Sequence, residues 1–313
     1  MFRLVALSLT TLALTACSGF TSDSTETKVR HFYDYQLYSP VLEPISLTSL
    51  PKSLLEADVI LVGEWHTHSG IHRFQTDLLD ALSDQRPVAL SMEQFTRDKQ
   101  TVVDHYLAGK IGEQFLIKSG NAWPNYESDY RPLVELAKQK QLDVIAANAP
   151  KPIVRCIGRE GIEYLEVLPP HKRDYVAADI NTADSPYKEK FMASMHHGSP
   201  EQTQNQYAAQ VTWDETMAES ITNYLTEHSG TQVLHIAGKF HTEQGLGTKA
   251  SILKRNPSLN VVVITPYSNP EDNNPNSDFV LNVLPPPERY VQMEHRMAAY
   301  QHLSKRDDTL KCI

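Results

Sequence analysis

Cysteine is scarce in this chain, with three residues in 313, at positions 17, 156 and 312. None forms a C-x-x-C pair, which excludes dithiol redox motifs, paired-cysteine zinc sites and C-x-x-C-H haem attachment. Basic charge is also short: 29 Lys and Arg stand against 38 Asp and Glu, for a net charge of −9. The chain therefore lacks the basic stripe that a nucleic-acid partner needs. Past the first sixteen residues no apolar run approaches the roughly 20 residues of a membrane-spanning helix. Internal repeats are absent, which excludes solenoid and propeller architectures.

The N-terminus carries a targeting pattern. Arg3 precedes an apolar run from Leu4 to Leu14, broken by Ser8, Thr10 and Thr11. That run has the length of a signal-peptide core and is too short to span a bilayer. It ends in Leu14-Thr15-Ala16-Cys17, which resembles the lipobox of bacterial lipoproteins. The resemblance implies a signal peptide over residues 1–16 and acyl chains such as palmitate on Cys17. Two or three acyl chains on one residue hold a protein stably at a membrane. Ser18 and Gly19 follow, with no Asp after the cysteine. By the sorting habit of such proteins this points to the outer membrane of a Gram-negative bacterium. Residues 17–30, rich in Ser, Thr and charge, make a lipidated, flexible stalk. With Cys17 lipidated, only Cys156 and Cys312 remain. An oxidising compartment permits a disulfide between them, and two free thiols fit the sequence equally well.

The body alternates short apolar runs with helical patterns. Asp58–Val62, Pro87–Met92, Leu142–Ala147, Val233–Ala237 and Asn260–Thr265 lack strict alternation, as suits strands covered on both faces. Helical spacing recurs at Ile71–Leu82, Arg131–Gln139 and Thr248–Lys254. The expected fold class is α/β, a mostly parallel sheet with flanking helices. Residues 31–151 and 228–313 form the sheet domain. The stretch 152–227 contains no convincing strand and is expected to be a smaller all-helical insertion, a lid. Breaks fall at Pro169-Pro170, Pro186 and Gly198-Ser199-Pro200, and the last helix of the stretch spans about Gln202 to Leu225. After Tyr267 come a polar loop, an edge strand in Asp278–Leu284, three prolines and a closing amphipathic helix over Glu288–Leu303.

In open parallel sheets, sites form beyond the carboxyl ends of the strands. There the sequence places Gly63-Glu64-Trp65-His66, then Glu93 and Gln94, then Asn148, then Gly238-Lys239-Phe240-His241. Both glycine-led motifs have the form G-x-x-H, in which glycine lets the chain turn sharply off a strand. His66, Glu93 and His241 have the donor types of a divalent-metal site. Glu64, His66, Glu93 and His241 equally suit acid–base work on a water molecule without a metal. His68 and His72, four apart, read as a solvated first helical turn, with chelation as the alternative. Asp214 sits on an apolar stripe with Tyr207 and Ile221, and so calls for a partner. His196-His197 falls in a loop.

The blocks LVGEWH, SMEQF, DYRPLVELAK through VIAANAP, QVTWDETMA and IAGKFHTEQGLG occur in order over about residues 55–265. In this the chain resembles the ChaN family, haem-binding lipoproteins of iron-regulated haem uptake in Gram-negative bacteria. The Tiki and erythromycin-esterase groups, which include hydrolases, are its wider relatives. The resemblance implies a homodimer enclosing ferric haems, each ligated by a tyrosinate. It also implies exchange of haem with an outer-membrane receptor. The helical stretch offers Tyr164, Tyr175, Tyr187 and Tyr207 for this role, and Tyr187, Tyr207, His196 and His197 are the haem-binding candidates. Lys239 and Phe240 stand where many relatives carry a second small residue. A hydrolase using Glu64, His66, Glu93 and His241 is the alternative that the wider relatives imply.

Overall fold

A computed structural model describes residues 28–195, 199–272, 278–303 and 309–312. Cys17 with its signal segment, His196 and His197 lie outside the described residues. The strands are β1 (Gln36–Tyr38), β2 (Pro44–Ile45), β3 (Val59–Glu64), β4 (Val88–Thr96), β5 (Val144–Asn148), β6 (Gln232–Gly238), β7 (Val261–Tyr267) and β8 (Phe279–Asn282). They form one sheet in the order β2-β1-β8-β7-β3-β6-β4-β5. From β8 to β5 every neighbouring pair is parallel, and β1 pairs antiparallel with both β8 and β2. The fold is thus α/β with a mostly parallel sheet.

Strand alternation explains how both faces are covered. In β3, Ile60 and Val62 pack with Leu90, Met92 and Ile236 against Ile71, Phe74, Leu78 and Leu82 of the helix Ser69–Ser83. Val59 and Leu61 point the other way and pack with Val233 and Val263 against Ala218, Ile221 and Ile252. Successive side chains of a strand face opposite sides, so an unbroken apolar run feeds two cores at once. A Leu or Ile buried this way contributes about 1.5–3 kcal/mol.

The stretch between β5 and β6 is helical, with no strand among its described residues. Its helices include Lys151–Glu160, Pro186–Ser194 and Pro200–Glu227. The prolines that look like breaks in the sequence are helix starts. Pro186 and Pro200 each occupy the first helical turn, where no backbone N–H is required. Ser185 and Ser199 precede them and accept hydrogen bonds from the backbone N–H of Lys188 and Gln202. The 28-residue helix Pro200–Glu227 lays its second half on the sheet through Met217, Ala218 and Ile221. Its first half packs Tyr207 and Val211 on Tyr187 and Phe191 of the helix Pro186–Ser194.

The C-terminal region departs from expectation in two ways. β8 is internal rather than an edge strand, because the short N-terminal β1 pairs along its other side. The final helix begins at Met293, not near Glu288, and leaves Met293, Met297 and Tyr300 exposed. Three consecutive prolines, Pro285–Pro287, hold the chain extended before it. Cys156 and Cys312 are joined in a disulfide with a Cα–Cα distance of 5.5 Å. Beside it Arg159 donates to the Leu310 carbonyl at 2.9 Å. No helix among the described residues is long and apolar enough to cross a membrane.

Candidate functional site

The register of the sheet sets Glu64, the last residue of β3, beside Gly238, the last residue of β6. Both G-x-x-H motifs therefore leave the sheet at the same edge, side by side. Glu64 is buried and accepts four hydrogen bonds. Its Oε1 takes those of His66 Nδ1 at 2.8 Å, Tyr130 hydroxyl at 2.6 Å and Gln94 Nε2 at 3.1 Å, and its Oε2 takes that of Gln75 Nε2 at 2.7 Å. Burial raises this carboxyl, but His66, the nearby His72 and Tyr130 outweigh it and hold the pKa below the ordinary value. The carboxylate fixes the His66 ring, whose side chain is 45% exposed. Burial pulls the His66 imidazole down, yet the Glu64 hydrogen bond and the Glu93 charge leave it raised.

Two further carboxylates flank His241. Asp214, fully buried, accepts from His241 Nδ1 at 3.0 Å and Thr248 Oγ1 at 2.8 Å on one oxygen, and from the Tyr187 hydroxyl at 2.7 Å on the other. Glu93 lies 3.8 Å from His241 Nε2 and accepts from the Gly238 backbone N–H at 2.7 Å. Burial opposes protonation of His241, but Asp214 and Glu93 prevail and push its pKa up to about 9. Close approach requires glycine here: a Cβ on Gly238 would stand 2.9 Å from His66 Nε2.

Glu64, His66, Glu93 and His241 are thus brought together, and Asp214 joins them from the helix Pro200–Glu227. Among the described residues, no three His, Cys, Asp or Glu side chains are grouped to hold a metal ion. Instead Glu64 pairs with His66, and His241 stands between Asp214 and Glu93. His68 and His72 do not form a solvated turn and do not converge. Both are buried; His68 Nε2 donates to the Leu284 carbonyl at 2.9 Å, and His72 lies 3.1 Å from the His66 carbonyl and 3.0 Å from Gln75 Oε1. Asn148 donates to the Glu93 carbonyl at 3.0 Å and accepts from the backbone N–H of Ala149 at 2.8 Å. Tyr187 and Tyr207 are both buried. Burial and Asp214 raise the Tyr187 phenol well above its ordinary value, and the Tyr207 hydroxyl lies 3.3 Å from Ser185 Oγ. Tyr130, Gln75 and Trp123, whose ring lies 5.0 Å from that of His66, are site residues the sequence pattern does not single out.

Above this edge lies an open cavity of about 1060 Å³. Trp65, Phe240 and Phe32 line it together with His66, His241 and Gln210. Lys239 and Arg289 bring positive charge, Glu64 a carboxylate, and Pro286 and Pro287 also line it. Burial lowers the Lys239 ammonium, which also faces Glu243 at 3.5 Å. Tyr187 lies just behind the lining: Gln210 donates to its hydroxyl at 3.0 Å, and the Phe240 ring is 5.6 Å from its own.

A family model described as haem-binding uptake, Tiki superfamily, ChaN matches residues 50–252. Among solved structures, the chain is similar to ChaN of Campylobacter jejuni, described with cofacial heme. The TM-score is 0.63 and the identity 19%, over 82% of this chain and 99% of that one. The type III effector HopBA1 matches at a TM-score of 0.46 and 11% identity, over 81% and 98%. An erythromycin esterase mutant in its open conformation matches at 0.44 and 12%, over 85% and 87%. At 19% identity the likeness to the Campylobacter jejuni protein speaks to fold alone. Among curated proteins none matches this sequence.

Proposed function

The chain belongs to the ChaN family of haem-binding uptake proteins in the Tiki superfamily, and from that premise we propose that it binds haem in the strand-end cavity. The observation that carries this reading is the cavity's chemistry. Haem is a flat apolar disc with two carboxylates on one edge. The cavity has aromatic walls in Trp65 and Phe240 and cations in Lys239 and Arg289. Its volume lies just above the roughly 300–1,000 Å³ common for cofactor sites. Trp65 and Phe240 would hold the ring, and the positive side of the lining would face its carboxylates. Two kinds of iron donor are within reach. His66 has its Nδ1 fixed by Glu64, an arrangement that orients a ligating imidazole. Tyr187 is the nearer of the two candidate tyrosines, and ligation through it requires its hydroxyl to leave Asp214.

The setting of this activity is part of the proposal. Cys17 carries the lipid anchor, and the protein acts at the outer membrane in haem and iron uptake, exchanging haem with a receptor there. Two anchored copies pair over their cavity mouths, where Phe32 is exposed. Cys17→Ser should move the protein from the membrane fraction to the soluble fraction, and unchanged membrane partition would remove the anchor from the account. Haem binding is tested by haemin titration of the full chain followed in the Soret region. A saturable shift is expected. Loss of a tyrosinate charge-transfer band in Tyr187→Phe would assign the phenol, and loss of the ligand-field spectrum in His66→Ala the imidazole.

The series Asp214–His241–Glu93 favours a second reading, as a hydrolase. An imidazole held between two carboxylates beside an open cavity has the form of an acid–base device, and such devices contribute about 10²- to 10⁴-fold to rate. Glu64 and His66 would complete it. The same preparation assayed against an ester and amide panel decides this: absence of turnover removes the hydrolase.

A further inference from the structure

Neither the fold nor the acid–base cluster accounts for Arg289. It lies in the extended segment after β8, outside the region 50–252 that the family model matches. It is exposed, it lines the cavity, and no hydrogen bond or ion pair engages it among the described residues. Lys239, the other long cation of the lining, is already occupied. Its Nζ donates to the Pro266 carbonyl at 3.0 Å, faces Glu243 at 3.5 Å and lies 4.0 Å from the centre of the Tyr267 ring. Arg289 is therefore the uncompensated positive charge of this lining.

The chain leading to Arg289 is held in place. Val283 N–H donates to the Tyr267 carbonyl at 3.1 Å, and the Leu284 carbonyl accepts from His68 Nε2 at 2.9 Å. Three prolines follow, Pro285–Pro287. Each fixes its own φ and disfavours compact conformations in the residue before it, so the segment runs as a stiff strut along the rim. Pro286 and Pro287 line the cavity, and two residues later so does Arg289. This also gives buried His68 a purpose: it pins the strut to the sheet edge. A guanidinium presents a planar fork of donors that matches a carboxylate bidentately.

We propose that Arg289 is a specificity-determining residue that pairs with a carboxylate on the edge of a flat, otherwise apolar ligand bound in the cavity. The inference rests on the haem reading and names the group that selects for the free acid. The test is equilibrium titration of the full chain in detergent with haemin and with haemin dimethyl ester, which lacks free carboxylates. Wild type should bind haemin more tightly than the ester, by about tenfold for one charge-assisted pair. Arg289→Gln should remove that preference while leaving ester affinity unchanged, and Arg289→Lys should restore part of it. Added salt should weaken haemin binding to wild type and leave Arg289→Gln nearly unaffected. If wild type prefers haemin and Arg289→Gln keeps the full preference, this inference is overturned while the haem reading stands. If wild type binds neither compound, the haem reading falls and takes this inference with it.

Discussion

His241 sits between Asp214 and Glu93 with its ring buried, and its pKa is pushed up to about 9. Below about pH 6.5 both folded and unfolded chains hold the proton, and the ion pairs contribute fully. Between that pH and about 9 the unfolded chain releases the proton while the folded chain keeps it, so stability falls as pH rises. The effect is on the order of 3 kcal/mol. His235 acts in the opposite direction. It is fully buried beside Ser91, and burial holds its pKa near 3. Below about pH 6.5 the unfolded chain gains a proton that folded His235 refuses, so stability falls toward acid. Thermal melts should therefore show a maximum near pH 6.5. In His241→Gln the decline between pH 6.5 and 9 should flatten while the acid limb is kept. An alkaline limb as steep as wild type would mean that His241 is not held as a cation. At this scale the sequence showed half of the site. Glu64, His66, Glu93 and His241 were legible because each stands at or just beyond the end of an apolar run. Tyr130 and Gln75 were not, since they reach Glu64 from helical segments with no periodic or local mark of their function.

At the scale of elements, the five long strands were legible because each is an apolar run covered on both faces. β1 and β2 were not: they have three and two residues, and only long-range antiparallel pairing defines them. The prolines misled in an informative way. A proline stops a helix from continuing but also starts one well, and Ser185 and Ser199 just before Pro186 and Pro200 were the signal that distinguishes the two cases. Helix starts also set the site. Gly247 precedes the helix Thr248–Arg255, and a Cβ there would lie 2.8 Å from Asp214 Oδ1 and 3.1 Å from Tyr187 Cζ. Gly247→Ala should thus destabilise the protein by about 1–3 kcal/mol through forced displacement. Gly158, inside the helix Lys151–Glu160, has only an ordinary 3.6 Å contact in the same position. Gly158→Ala should stabilise by about 0.5–1 kcal/mol through helix propensity. Chemical denaturation of both variants checks the pair, and equal effects at the two sites would contradict this view of Gly247.

For the molecule as a whole, the parallel core makes the site possible. Six strands run in one direction, so the chain leaves all of them at one edge, and chemistry written at four distant places in the sequence meets there. That convergence was legible from the alternation of strands and helices, which implies parallel strands. The cavity was not, because its rim comes from Phe32 before the sheet and Pro286, Pro287 and Arg289 after it. The disulfide between Cys156 and Cys312 secures the tail that continues from that rim to the helix Lys151–Glu160. The central claim is that this cavity is a haem site, and haemin titration of the full chain tests it most directly. The account predicts a saturable Soret shift at one haem per chain that weakens when Trp65 is replaced by Ala. A spectrum that stays that of free haemin throughout the titration would contradict it.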